Sequence, residues 1–186
     1  MKTILLYFSD IHLTGNKPEN EGAVIKAFCE DVKLQLTNLR YNDAYVLIGG
    51  DLVQAADDSK SYQSFYDKIL SKLITYGIPT EKMICVPGNH DCQRQWIIDN
   101  RETYAPVVNQ RYTEDRFDNM ISGVQNSVFV EKFANYKQFV ERHLPNSKHN
   151  LVGFPVEINE EWSLYCLNSA LTPQKQTSLE LLSFCG

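Results

Sequence analysis

Three short polar motifs in this chain carry side chains of the types that bind divalent metals. The candidate ligands, each placed just after an apolar stretch, are Asp10, His12, Asp51, Asn89 and His90. Carboxylate, carboxamide and imidazole groups together suit Mn, Fe, Zn or Co better than calcium or a thiolate-bound zinc. Two ions bridged by a carboxylate such as Asp51 can activate water and stabilise the leaving oxygen of a phosphoryl transfer. The residue types therefore point to metal-assisted phosphoester hydrolysis.

The spacing within the motifs favours convergence on one ion. Asp10 and His12 are two residues apart, and residues two apart in an extended segment point to the same side. Ile11 between them is then expected to point into the core. Glycines at 49–50 permit close backbone approaches that a side chain would obstruct, so the carboxylate of Asp51 can project into a crevice at the strand end.

The elements that must position these motifs alternate along the first half of the chain. Apolar runs at 4–8, 44–48 and 83–86 predict three buried strands. Two stretches with helical spacing lie between them, with apolar stripes at Val24, Phe28, Val32, Leu36 and Leu39, and at Tyr62, Phe65, Tyr66, Ile69, Leu70 and Leu73. Strand-helix-strand units pair in parallel with a right-handed crossover. We therefore expect an α/β fold with the three motifs at one edge of a parallel sheet.

The pattern changes after the third motif. Residues 93–144 mix aromatic and charged side chains, which indicates a mostly helical insertion, cap-like beside the site, whose aromatic residues pack mainly in a core. Residues 154–158 and 162–167 alternate apolar and polar side chains around a polar turn, which predicts a β-hairpin. Asp57 and Asp58 are interpreted as caps at a helix start rather than as metal ligands.

Composition restricts the class of protein. The 186 residues are 43% hydrophobic, which suits one globular domain covering 1–186. The formal charge of -5 lacks the basic excess that holds a nucleic-acid backbone, so nucleic acid is not indicated, although bound metals could offset this charge locally. No apolar stretch approaches the roughly 20 residues of a membrane helix. Five cysteines without paired spacing indicate reduced thiols and a cytoplasmic protein.

The three motifs also resemble those of a known family. Ser9-Asp10-Ile11-His12, Gly49-Gly50-Asp51-Leu52 and Gly88-Asn89-His90-Asp91 are similar to the first three motifs of the calcineurin-like metallophosphoesterases, in the same order and spacing. The longer phrases SDIHLTG, GGDLVQAADDSKSY and VPGNHDCQR are most similar to bacterial branches related to cyclic-nucleotide phosphodiesterases and DNA-repair exonucleases. The resemblance does not identify a substrate within the phosphoesters.

This resemblance implies a fold, a cofactor and a role for each motif residue. The fold would be a β-sandwich flanked by helices, and a hydroxide that bridges two divalent metals would attack a phosphomonoester or phosphodiester. The implied metal ligands are Asp10 and His12 for the first ion, Asp51 as the bridge, and Asn89 for the second ion. His90 would contact the scissile phosphate or protonate the leaving group, and Asp91 would support His90.

The resemblance ends near residue 170. A further metal-binding histidine and a Gly-His-x-His motif, both typical of the family, are not found, and His143 and His149 are expected to face solvent. We therefore expect the amino-terminal part of a longer or split protein, partnered by a carboxyl-terminal continuation or a separately encoded half. The alternatives are an inactive truncated remnant, a module that binds a metal or a phosphorylated ligand without hydrolysis, and a metal-free α/β domain.

Overall fold

The computed structural model describes five parts of the chain, residues 2–14, 19–39, 43–103, 130–148 and 152–170. Within these parts, no helix combines the length and the apolar character that a bilayer span requires. A parallel sheet has helices on one face and a hairpin on the other, so the predicted α/β class is confirmed. The middle of the predicted helical insertion, residues 104–129, lies outside the described residues, and so does 171–186.

The parallel sheet contains the three predicted strands. They are β1 (Thr3–Phe8), β2 (Asp43–Ile48) and β3 (Met83–Cys85), in the order β1-β2-β3. Phe8 pairs with Ile48, and Ile48 pairs with Cys85, so the three strands end at the same level. The motifs that follow these strands are thereby delivered to one edge of the sheet, as predicted.

Helix α1 (Glu19–Asn38) connects β1 to β2 and buries a stripe shifted from the predicted one. The buried side chains are Ile25, Cys29, Val32 and Leu36. Val24 is 68% exposed and Leu39 is 40% exposed, so these two predicted positions are wrong. Cys29 behaves as a small apolar residue, and counting it would have rotated the predicted face toward the observed one.

The second crossover is one helical rod whose apolar stripe is confirmed. It consists of α2 (Ser59–Phe65), a π-helical turn (Tyr66–Leu70) and α3 (Ser71–Thr75). The rod ends at Gly77, which has a φ of +93°. There the N–H of Gly77 donates to the carbonyl of Ile74, and the N–H of Ile78 donates to that of Leu73. This is the usual glycine termination of a helix.

Two further helices pack on the same side of the sheet. Helix α4 (Arg94–Asp99) follows the third motif directly, and α5 (Ala134–His143) ends just before Pro145. Tyr136, Phe139 and Val140 of α5 are buried. These aromatic residues belong to the core, which agrees with the interpretation of aromatic residues in this region as core rather than substrate contacts.

Asp57 and Asp58 cap two different helices. Asp58 accepts a hydrogen bond from the N–H of Lys60 at 2.9 Å and caps α2 as predicted. The carboxylate of Asp57 instead accepts from the N–H groups of Arg94 at 3.2 Å and Gln95 at 2.9 Å. These are the first free N–H groups of α4, so Asp57 ties the segment after β2 to the segment after β3.

We expect Asp57→Ala to lower the free energy of unfolding by about 1 kcal/mol, because two helix N–H groups lose their acceptor. Asp58→Ala is the matched control, since it removes one cap of the same type and should cost a similar amount. Urea unfolding of both variants and of the double variant measures the effect. A stability of Asp57→Ala equal to that of the unchanged protein would show that α4 does not depend on this contact.

The predicted hairpin is confirmed as an antiparallel pair. Strand β4 (Gly153–Glu157) pairs with β5 (Ser163–Leu167). Phe154, Val156 and Ile158 pack with Ile84 on the sheet face opposite the helices, and the hydroxyl of Tyr45 donates to the carbonyl of Ile158 at 2.9 Å. The hairpin therefore forms a second layer over β2 and β3.

Candidate metal centre

The first two motifs run side by side beyond their strands. The N–H of Asp10 donates to the carbonyl of Gly50 at 3.1 Å, and the N–H of His12 donates to that of Asp51 at 2.9 Å. A parallel bridge between Leu13 and Val53 continues the pairing. The two motif segments therefore have fixed positions relative to each other.

The backbone of these segments is not extended. Asp10, His12 and Asp51 have φ values of 58°, 50° and 52°, and they are the non-glycine residues with positive φ in the described parts of the chain. The expectation that Asp10 and His12 converge because they lie in an extended segment is therefore wrong. Left-handed turns bring them together, held by the hydrogen bonds between the motifs. Left-handed non-glycine residues cost free energy and cluster at functional sites.

The side chain of His12 nonetheless lies close to both carboxylates. His12 Nε2 lies 3.7 Å from Asp10 Oδ1 and 3.9 Å from Asp51 Oδ2. Atoms that each bind one ion at about 2.1 Å can be at most about 4.2 Å apart, so His12 is placed to share an ion with either carboxylate. The group of three that the described structure brings together is His12, Asp51 and His90, without Asp10. In addition, Nδ1 of His12 is buried without a hydrogen-bond partner in the described structure. The site suits a divalent cation by ligand type and by spacing.

The third motif brings His90 to the same place. One ligand atom each from His12, Asp51 and His90 lies within 4.8 Å of the others. The rings of His12 and His90 meet edge to face at 4.5 Å between centroids. Oδ1 of Asp51 accepts from the N–H of His90 at 2.7 Å, while Oδ2 faces His12. The Asp51 carboxylate is thus held between the imidazole of His12 and the backbone N–H of His90, where a bridging role was predicted.

Close contact between the second and third motifs requires glycine. A Cβ on Gly50, which has a φ of +102°, would collide with the backbone of Gly88, and a Cβ on Gly88 would collide with Asp51. The expectation that a glycine before Asp51 permits a close approach is confirmed at Gly50. The space that a side chain would fill is what allows His90 to reach Asp51.

We expect Gly50→Ala to lower the free energy of unfolding by roughly 2 kcal/mol or more, because the new Cβ adds left-handed strain and a backbone collision. Gly22→Ala in α1 is the control: a Cβ there meets nothing within 4 Å, so it should stabilise the helix by about 0.5–1 kcal/mol. Thermal and urea unfolding report both changes. A Gly50→Ala protein as stable as the Gly22→Ala protein would contradict the close approach.

Asp91 is fully buried beside the site. Its carboxylate accepts hydrogen bonds from the N–H of Gly88 at 2.9 Å and from the hydroxyl of Tyr62 at 3.1 Å. Burial raises the pKa of Asp91 to about 7, and the nearby Asp51 charge acts in the same direction. These contacts hold the loop that carries His90, whereas the His90 ring itself contacts Gln54 and Arg94. Support of His90 by Asp91 stays a prediction, as does metal binding by half-buried Asn89.

Of the two remaining histidines, the structure describes His143. His143 was expected to face solvent, and this is wrong, because its ring packs at 4.3 Å on Tyr66 and at 5.3 Å on Phe139. Burial lowers the pKa of His143. His149 lies outside the described residues. His143 is therefore a half-buried residue that packs against the helices, and it is not part of the group formed by His12, Asp51 and His90.

Sequence reasoning missed three residues that contact the site. Gln54 and Arg94 contact the His90 ring, and Tyr62 binds Asp91. Tyr62 was assigned only to the apolar stripe of its helix, since nothing in a helical pattern shows where a hydroxyl points. Arg94 lies within the quoted phrase VPGNHDCQR, and its position four residues after His90 was the available signal.

The fold and the site together define an α/β domain with a candidate metal centre at the carboxyl edge of a parallel sheet. A sequence model described as calcineurin-like phosphoesterase matches residues 4–168, which is most of the chain. The chain belongs to this family, and the resemblance predicted from its three motifs is confirmed. Searches of curated proteins and of solved structures each gave no match.

Proposed function

We propose that this chain is a metal-dependent phosphoesterase domain that hydrolyses a phosphomonoester or a phosphodiester. The observation that carries the proposal is the convergence of His12, Asp51 and His90 within 4.8 Å, at a point where the backbone is left-handed. Membership of the calcineurin-like phosphoesterase family supports the same reaction class. A strained backbone that brings imidazoles and a carboxylate together is expected of a functional site rather than of a structural turn.

In this proposal the metal ligands are shared between two ions. Asp10, His12 and Asp51 would hold the first ion, and Asp51 with Asn89 would hold the second. Bound divalent ions of the Mn, Fe, Zn or Co class would supply Lewis-acid polarisation and neutralise negative charge. That neutralisation is needed, because the carboxylates of the site would otherwise repel an anionic phosphoester.

His90 has a separate role in the proposal. Its Nδ1 lies 2.8 Å from the carbonyl of Gln54, an arrangement that fits an Nδ1–H donor and fixes the ring. Nε2 is then left to exchange a proton with the leaving group or to contact the scissile phosphate. Asp91 would keep the loop in place through Gly88 and Tyr62.

We further propose that a polypeptide segment beyond the described residues completes this site, as a continuation or as a separately encoded half. Within the described residues, Asp51 and Asn89 would give the second ion only two protein ligands, fewer than divalent metal sites usually have. Side chains on β1 also lack a cover within the described structure, since Leu5 is 45% exposed and Tyr7 is 65% exposed. A further layer over β1 would bury them.

The second candidate function is a module that binds a metal or a phosphorylated ligand without hydrolysis, or a catalytically inactive remnant. The small ligand set of the second ion favours this candidate. A single well-bound ion can hold a phosphate oxygen, whereas the two-metal mechanism needs both ions to stabilise attacking and leaving oxygens. The two candidates differ in turnover and not in ligand chemistry.

We also propose a reducing location such as the cytoplasm. Cys29, Cys85, Cys92 and Cys166 are free thiols in the described residues, and the first three are buried. Thiols in this state are typical of reducing compartments.

The test is metal-dependent turnover. The chain, stripped of metal with a chelator, is assayed on an aryl phosphodiester and an aryl phosphomonoester with and without added Mn²⁺, alone and with adjoining downstream coding sequence. We expect Mn²⁺-dependent hydrolysis that rises when the downstream segment is present. Mn²⁺ binding without turnover in any form would support the binding module, and turnover that persists in the chelator would contradict the metal-dependent mechanism.

A further inference from the structure

Arg94 places a positive charge directly against His90. One guanidinium nitrogen of Arg94, Nη2, lies 2.8 Å from His90 Nδ1 and 3.3 Å from His90 Nε2. A hydrogen bond in the plane of the ring would bring that nitrogen close to one ring nitrogen and leave the other much farther away. The nearly equal distances therefore place the guanidinium over the face of the imidazole.

The carbonyl of Gln54 determines whether His90 Nδ1 is a donor or an acceptor. Nδ1 of His90 is also 2.8 Å from the carbonyl of Gln54, which can only accept. If Nδ1 donates to Gln54, it cannot accept from Arg94 as well. The N–H of Nη2 that contacts the ring therefore points at the ring face, and the other N–H groups of the guanidinium stay available for other acceptors.

Among the residues that the structure describes, no carboxylate pairs with the charge of Arg94. The structure gives its guanidinium contacts to His90, and no carboxylate of the described chain lies within 4.0 Å of it. The nearest candidate by chain position, Asp57, uses both carboxylate oxygens on backbone N–H groups of α4. The same contacts fix the backbone of Arg94, so the half-buried side chain projects from an anchored point.

We propose that Arg94 is a phosphate-binding residue of this site, which holds a non-bridging oxygen of the phosphoester beside His90. An unpaired guanidinium next to a cluster of carboxylates and imidazoles suits an oxyanion, because its planar N–H groups match phosphate geometry. The inference rests on the proposed function, since it takes the ligand to be a phosphoester. It adds a contact from α4, independent of the residues that would hold metal.

Calorimetry of inorganic phosphate binding to the full chain in saturating Mn²⁺ tests the role of Arg94. For Arg94→Gln we expect phosphate Kd and the KM for an aryl phosphodiester to rise by on the order of 10- to 100-fold, with Mn²⁺ affinity and Tm unchanged. Arg94→Lys keeps a charge without the planar fork and should show a smaller rise. Arg142→Gln, a change of the same type at an exposed position of α5, is the control and should change neither value.

The outcomes separate this inference from the proposed function. If the unchanged chain hydrolyses the diester and Arg94→Gln binds phosphate equally well, Arg94 is not a phosphate ligand and the phosphoesterase stands. If the unchanged chain binds phosphate through Arg94 without any turnover, the inference stands and the phosphoesterase does not. The inference would be overturned in favour of a structural role if both Arg94 variants lost Mn²⁺ affinity as far as phosphate affinity. A Tm well below that of the unchanged chain in both variants would overturn it in the same way.

Discussion

Asp51→Asn should lower the affinity of the chain for Mn²⁺ by at least about 100-fold, since loss even of an outer partner of a metal ligand typically costs about 10- to 100-fold. In the carboxylate of Asp51, Oδ2 faces the His12 ring and Oδ1 accepts from the backbone N–H of His90. Calorimetric titration of metal-free protein with Mn²⁺ measures the change.

The substitution isolates metal binding because asparagine should preserve the fold. Asparagine tolerates the left-handed backbone of position 51, where φ is 52°. Its carbonyl oxygen can still accept from the N–H of His90, and its NH₂ group then replaces the oxygen that faces His12. We therefore expect a Tm close to that of the unchanged protein, with the effect confined to the ion.

Asp31→Asn is the matched control for this prediction. Asp31 is an exposed residue of α1 whose carboxylate accepts from Gln35 at 3.3 Å, and it is remote in the fold from the three motifs. The same loss of one negative charge there should leave Mn²⁺ affinity unchanged within error. Equal affinities for Asp51→Asn and the unchanged chain would remove Asp51 from the metal centre.

The parallel sheet could be predicted because a buried strand is a short run of consecutive apolar residues. Residues 44–48 are apolar throughout, and in β2 the two faces contact different layers: Val46 joins the helical core while Leu47 joins the hairpin cluster. A strand buried on both faces needs no alternation, so its position is visible from one short run. The parallel order of the strands then followed from the helices between them.

The local geometry of the site could not be predicted in the same way. A D-x-H spacing suggests convergence, but whether it arises from an extended chain or from left-handed turns depends on the hydrogen bonds that Asp10 and His12 make to the neighbouring motif. Those bonds join residues about forty positions apart in sequence. Intrinsic backbone preference disfavours positive φ at these residues, and the tertiary contacts override it.

Side-chain contacts between segments that are distant in sequence could not be predicted either. Asp57 was predicted to cap the helix that follows it, yet it caps α4, because the segments after β2 and β3 lie side by side in the fold. The exposure of Val24 has a different reason, which is the limited precision of a helical stripe. A helical stripe in sequence defines a face only to within about one residue, which is a rotation of about 100°.

His90→Ala should reduce phosphoester turnover by about 100- to 10,000-fold, the usual effect of losing a positioned general acid or base. Mn²⁺ affinity should fall far less, because the proposal gives the first ion to Asp10, His12 and Asp51. The contact that His90 makes to Asp51 comes from its backbone N–H at 2.7 Å, and alanine retains that group. Turnover of an aryl phosphodiester and Mn²⁺ titration of the same protein sample measure both quantities.

His143→Ala is the histidine control for this experiment. His143 packs on Tyr66 and Phe139, so its loss should lower stability and leave turnover of the folded protein nearly unchanged. His90→Gln supplies a second variant, since it keeps polar side-chain atoms near Gln54 without an imidazole. The ring centroids of His90 and His12 are 4.5 Å apart, so His90 is close enough to the site to be a metal ligand instead. The same measurements test this alternative. If Mn²⁺ affinity falls as far as turnover in both His90 variants, His90 is a metal ligand and its assignment to the phosphate or the leaving group is wrong.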